Sequence, residues 1–143
     1  MEEIEIFTDG ACRGNPGLGG WGALIRKNGE ESSLWGGERE TTNNRMEMEA
    51  AIRGLESIVE SSNITITTDS NYLKDGITQW LEGWKKKDWK TASKKPVKNK
   101  DLWMRLDELS QYHNVNWKWV KGHSGHRENE IADLLANKGI DEL

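Results

Sequence analysis

The chain has 143 residues, a net charge of −4, 34% hydrophobic residues and a single cysteine, Cys12. That length sustains one core and is short for two ordinary domains, and one cysteine excludes a disulfide framework. No apolar run approaches the ~18 residues that a bilayer span needs, and Met1-Glu2-Glu3 lacks the basic, apolar start of a secretory signal, so a soluble, cytoplasmic protein is expected.

Residues 3–8 alternate Ile4 and Ile6 with Glu5 and Phe7 and predict a strand; residues 21–27 and 33–41 predict two more, joined by glycine-bearing turns into an antiparallel meander. Thr42 and Asn43 are good helix caps, and Met48, Ala51, Ile52, Leu55 and Val59 follow at helical spacing, with Glu47 bordering that stripe. A fourth strand is predicted over 64–68. Ser70 then caps a helix marked by Leu73, Ile77, Trp80 and Leu81. Leu102, Leu106 and Leu109 mark a third helix, 115–121 a fifth strand and 128–138 a last helix. This βββαβααβα order predicts an α/β fold, a five-stranded mixed sheet flanked by helices, as a single domain over 1–143. Helical crossovers make strands one, four and five parallel, and ligands bind beyond the carboxyl ends of such strands. Asp9 and Asp69 end two of those apolar runs.

Charge is unevenly spread. Residues 85–100 hold eight lysines and one acid, Asp88, a local +7 against −11 elsewhere. Interleaved with Trp80, Trp84 and Trp89, these lysines read as a handle for nucleic acid, with cations for phosphates and indoles for sugars and bases. The plainer alternative is a solvated lysine-rich loop.

Four carboxylates, Asp9, Glu47, Asp69 and Asp133, fall in four separate stretches beside apolar positions. Gathered at one rim of a sheet they would repel one another unless a cation neutralised them. An oxygen-only set with no cysteine or histidine cluster selects a hard ion, Mg²⁺ or alternatively Mn²⁺, and leaves room for two ions about 4 Å apart. Individually, Asp9 before Gly10 also reads as a turn former and Asp69 before Ser70 as part of a helix cap. His123, between Gly122 and Gly125, is expected on a loop and suited to proton transfer or product release. His113 and His126 are expected at the surface, and Trp103 and at least one of Trp117 and Trp119 in the core. Cys12 reads as a small filler or substrate contact, since no base near it is specified to activate it.

Thr8-Asp9-Gly10-Ala11-Cys12-Arg13-Gly14-Asn15-Pro16-Gly17, Thr42-Asn43-Asn44-Arg45-Met46-Glu47, Thr68-Asp69-Ser70, Gly83-Trp84-Lys85-Lys86-Lys87 and Gly122-His123-Ser124-Gly125-His126 with Asn129, Glu130 and Asp133 occur in this order. In these motifs the chain resembles type 1 ribonuclease H of the bacterial kind, with a basic protrusion at about 81–100. The resemblance implies hydrolysis of the RNA strand of RNA/DNA hybrids with Mg²⁺, leaving 3′-hydroxyl and 5′-phosphate ends. It implies Asp9, Glu47, Asp69 and Asp133 as metal ligands and His123 as a mobile catalytic histidine. It also implies Cys12, Gly14, Asn15, Asn44 and Asn71 on the RNA side, Thr42, Asn43, Tyr72, Trp80 and Asn99 on the DNA side, and Trp84, Lys85, Lys86 and Lys87 as a handle. A monomer is expected. Glu40 stands where many relatives carry arginine, and Asn71 replaces a longer side chain, which implies weaker hold on the DNA strand. A noncatalytic hybrid-binding module would have no use for four carboxylates, and a DNA nuclease should lack Asn15, Asn43, Asn44 and Trp84.

Overall fold

The computed structural model describes residues 3–122 and 126–143. Alternating apolar residues build β1 (Glu3–Arg13), and glycine-bearing turns lead to β2 (Gly17–Lys27) and β3 (Glu30–Thr41). All three run antiparallel, as the short connections dictate. The strands β2 and β3 begin earlier than their sequence pattern predicts, and β1 runs past Asp9 to Arg13. Asp9 therefore sits within a strand. The parallel ladder of β1 with β4 (Asn63–Thr68) nevertheless ends at Phe7 and Thr67, so Asp9 still lies beyond the carboxyl end of that ladder.

Thr42 caps α1 (Asn43–Glu56), its Oγ1 accepting from the Arg45 N–H at 3.2 Å. Ser70 likewise caps the next helix through the Leu73 N–H at 3.1 Å. That helix is not uniform. It runs as α2 (Asn71–Asp75), a π-helical turn over Gly76–Trp80, and α3 (Leu81–Lys86). The wide turn falls where Gly76 lies against the Trp103 ring, with no room for a Cβ. Then follow α4 (Lys100–Tyr112), β5 (Asn114–Trp119) and α5 (Arg127–Asp141). The strands lie in the order β3-β2-β1-β4-β5, with β4 and β5 parallel to β1. The five-stranded mixed sheet is as predicted.

Strand alternation sends Ile4 and Ile6 to one face, where with Ile64, Ile66, Met48, Leu55, Leu73, Trp103 and Leu106 they form the main core under α1 and α4. The opposite face receives α5, which buries Ala132, Ala136 and Ile140 against glycine-rich stretches of β2 and β3. Trp103 is fully buried, as expected, while Trp117 and Trp119 are half-buried and stacked with ring centroids 5.7 Å apart. Of the two histidines expected at the surface, His113 departs from expectation and His126 meets it in part. His113 is buried, its Nδ1 accepting from the Ser62 N–H at 3.2 Å and its Nε2 3.3 Å from the Leu55 carbonyl. His126 is half-buried and caps α5 by accepting from the Asn129 N–H at 3.2 Å. His113 is thus a core residue, while His126 keeps about a third of its side chain exposed; each ring satisfies backbone groups that would otherwise be orphaned.

Candidate active site

Three elements converge at the rim. β1 supplies Asp9, the first turns of α1 supply Glu47, and the residue after β4 supplies Asp69. One carboxylate oxygen from each lies within 4.8 Å of the other two. Asp9 and Glu47 are buried and Asp69 half-buried, so water screens their repulsion poorly. Burial first, then the Asp69 charge, push the Asp9 carboxyl up to about 7; a hydrogen bond shared with the Glu47 carboxyl pulls it back, Asp133 adds to the rise, and the Gly10 N–H, donating to Oδ1 at 2.9 Å, again opposes it. Glu47 is pushed well above the ordinary carboxylate range, by burial first and then by Asp9 and Asp69. Its Oε2 is buried with no hydrogen-bond partner among the described residues.

A buried carboxylate with an orphaned oxygen, gathered with two further carboxylates, is costly as it stands and is satisfied by a hard divalent cation. The oxygen-only donor set fits such an ion. Asp133, on α5, stands outside this triangle, yet near enough for its charge to raise Asp9. Gly122, on the loop after β5, presses so close to Asp69 that a Cβ there would lie 2.7 Å from Oδ2. The next residue, His123, lies outside the described residues.

Beside the acids is a polar corner. Gly14 takes φ 82, which suits a residue without a Cβ, and the turn brings the Asn15 Oδ1 to the Asn43 N–H at 3.1 Å. Cys12 Sγ lies 2.8 Å from the Gly14 carbonyl and 3.5 Å from that of Thr41. Cys12, Gly14, Asn15, Thr42, Asn43 and Asn44 are thus gathered where β1 turns and α1 begins. Asn71 opens α2 and lines a hollow of about 340 Å³ with Asp69, Lys74, Trp119 and Lys121.

A second hollow, of about 380 Å³, is lined by Tyr72, Trp80, Trp84, Val97 and Lys98. Trp80 and Trp84 rings are 5.7 Å apart, and the Tyr72 hydroxyl accepts from Asn99 Nδ2 at 3.0 Å and Trp103 Nε1 at 3.3 Å. The three lysines of the supposed handle separate. Lys85 is tied to Asp107 at 3.1 Å and Glu82 at 3.6 Å, whereas Lys86 and Lys87 are exposed. Arg45, which lies in a recognised motif but without an assigned role there, donates to Asn99 Oδ1 at 3.1 Å and to Asp101 at 2.8 Å, linking α1 to the start of α4. Its place between Asn44 and Met46 carried no sign of partners more than fifty residues away. Among the described residues, no helix is long and apolar enough to cross a membrane.

The RNase H family model matches residues 1–141. A ribonuclease H of Halorhodospira halophila is 64% identical over 140 residues, covering 98% of this chain and 94% of the relative. A ribonuclease H of Hydrogenovibrio crunogenus is also 64% identical, over 143 residues, covering 100% and 99%. Among solved structures, LC9-RNase H1, a type 1 RNase H with the type 2 active-site motif, superposes with a TM-score of 0.86 at 32% identity, over 99% of this chain and 73% of that one. LC11-RNase H1, solved in complex with RNA/DNA hybrid, superposes with a TM-score of 0.74 at 26% identity over 97% of each chain. With the family model matched over residues 1–141 and relatives this similar over nearly their whole lengths, the chain belongs to the ribonuclease H family.

Proposed function

We propose that this protein is an endonuclease that hydrolyses the RNA strand of RNA/DNA hybrids at the carboxylate rim, leaving 3′-hydroxyl and 5′-phosphate ends. The observation that carries the reading is the triangle of Asp9, Glu47 and Asp69 oxygens within 4.8 Å, one of its members holding an unpartnered buried oxygen. Asp9, Glu47, Asp69 and Asp133 would hold two Mg²⁺ ions, for which Mn²⁺ can substitute. When bound, such ions supply an activated water and charge stabilisation at the leaving oxygen. The chain's own residues do the rest. Buried Asp9 and Glu47 keep the reacting phosphate in a poorly screened environment, where fixed charges act strongly. Cys12, Gly14, Asn15, Asn44 and Asn71 offer short polar groups and close backbone to the 2′-hydroxyls of the RNA strand. Thr42, Asn43, Tyr72, Trp80 and Asn99 meet the DNA strand, on which an aromatic surface tolerates a deoxyribose. His123 moves a proton or eases product release. Trp84, Lys86 and Lys87, in the protrusion of about 81–100, hold phosphates away from the cut, with Lys85 bracing α3 on α4. The protein acts as a monomer in the cytoplasm.

The test is a hybrid labelled on either strand, offered beside duplex DNA and duplex RNA with Mg²⁺ or EDTA. Cleavage confined to the RNA strand of the hybrid, and abolished by EDTA, is expected. Equal cutting of duplex DNA would refute the reading.

A further inference from the structure

Asp9 is flanked by two glycines that face opposite helices. Gly10 follows it along β1, and Gly22 is its cross-strand partner on β2. A Cβ on Gly10 would overlap the backbone nitrogen of Glu47 and lie 2.5 Å from the Met46 carbonyl carbon. A Cβ on Gly22 would lie 2.5 Å from the Ala132 carbonyl oxygen, 2.5 Å from Leu135 Cβ and 2.7 Å from the Ala136 nitrogen. Most of these opposing atoms are backbone, which cannot swing aside as the end of a side chain can. One close approach falls on Glu47 itself and the other on the residue preceding Asp133.

We infer that Gly10 and Gly22 are positioning residues of the site: their missing side chains set the depth at which α1 and α5 lay Glu47 and Asp133 against Asp9. This rests on the reading of those two carboxylates as ligands. A methyl group wedged under one end of a helix tips that end while the other end stays seated, so one placed beside Ala132 lifts Asp133, and ligand sets tolerate misplacement of only about 0.5 Å. Not every close-packed glycine has this consequence. Gly37 presses on the Gly139 carbonyl, where a Cβ would also lie 2.5 Å away, but that contact is well along α5 from Asp133.

The test measures how much Mn²⁺ raises the thermal midpoint in the absence of hybrid, since an ion that binds only the folded state stabilises it. Asp133→Asn should cut that rise. Gly22→Ala should cut it by at least half as much, Gly22→Ala with Asp133→Asn should cut it no further than Asp133→Asn, and Gly22→Ala with Asp133→Glu should recover it, the extra methylene restoring reach. Gly37→Ala should lower the metal-free midpoint while keeping the parental rise. Gly10→Ala and Glu47→Gln should couple in the same way. A parental rise in Gly22→Ala, additive losses in the double variant, or an equal loss of rise in Gly37→Ala would each overturn the proposal. A parental rise in Asp133→Asn would instead remove Asp133 from the site, and the Gly22 role with it. Should Gly22→Ala not fold, Asp133→Glu decides: with Gly22 intact the depth suits the shorter side chain, so a reduced rise supports the inference and an unchanged one overturns it.

Discussion

The two faces of the sheet are held by different physics. Under α1 and α4 lie large aliphatic and aromatic side chains, Ile6, Ile66, Leu55, Leu106 and Trp103, all fully buried, so burial of apolar area dominates there. Under α5 the layer is thinner: beside a few larger side chains such as Phe7, Leu24 and Ile140, alanines and glycines bring helix and strands into backbone contact, and charge frames them. Arg26 binds Glu128 at 2.7 Å, Glu31 at 2.9 Å and Glu5 at 2.7 Å, while its guanidinium stacks 5.2 Å from the Phe7 ring centroid; Arg13 binds Asp141 at 2.8 Å. A thick layer tolerates small adjustments, whereas a thin one transmits them. The acidic site lies on the seam between the two, with Glu47 delivered from the thick face and Asp133 from the thin one.

The largest effect should come from the seam itself. Asp9→Asn keeps the shape and the acceptor for the Gly10 N–H but removes ligand charge, so Mg²⁺-dependent cleavage should fall on the order of 10³-fold, several kcal/mol of transition-state stabilisation, with the fold intact. Near-parental turnover in a gel assay would take Asp9 out of the site.

On the thick face, Leu106→Ala should cost about 2–5 kcal/mol in denaturant unfolding, nearly independent of salt. A destabilisation below about 1 kcal/mol would mean that the layer collapses around the cavity, and that the contrast between the faces is weaker than drawn.

Next in size is a pH effect in metal-free buffer. Asp9 titrates near 7 in the fold against a usual 3.8. A carboxyl raised by folding stabilises the fold below its unfolded pKa, and that contribution is lost as pH rises through the folded value. The melting temperature of the parent relative to Asp9→Asn should therefore slip between about pH 4 and pH 7, and Mg²⁺ should close the gap at pH 7. A constant difference across that window would contradict the repulsion.

Arg26→Ala probes the thin face. Its carboxylate partners are partly exposed, so its destabilisation should be smaller than that of Leu106→Ala and should shrink as NaCl is raised, because salt screens these ion pairs in the parent as well. An effect that is unchanged in high salt would assign Arg26 to packing on Phe7 rather than to charge.

The smallest effects belong to the lysine-rich segment. Replacing Lys86 and Lys87 by alanine should raise KM for hybrid more than it lowers kcat, and should flatten the log–log salt dependence of binding by about 0.9 for each phosphate that is no longer neutralised. Lys85→Ala should change thermal stability and leave that slope at the parental value, as its ammonium already serves Asp107. A flattened slope in Lys85→Ala would return it to the substrate handle.

Patterns that depend on near neighbours were legible in the chain. Thr42 and Ser70 were recognisable as caps because a cap satisfies backbone groups two or three residues away, and the strand and helix periods followed from local alternation. The parallel relation of β1, β4 and β5 followed from the crossovers that connect them. The four carboxylates stood out because each was a charge beside buried positions. What the chain could not show is which polar groups would be spent internally. His113 disappears into the core because the Ser62 N–H and the Leu55 carbonyl, 51 and 58 residues away, come to its ring. Lys85 is diverted by an aspartate 22 residues downstream, and Arg45 finds Asn99 and Asp101 only once α1 and α4 are packed side by side. The elements, their order and the acids available to the site were readable from the chain, since these follow from local propensity and burial of periodic apolar faces. That Asp9 lies inside a strand, that Glu47 keeps an orphaned oxygen among the described residues, and that glycines let α5 approach so closely emerged with packing, because its depth is fixed by atoms that meet across the fold.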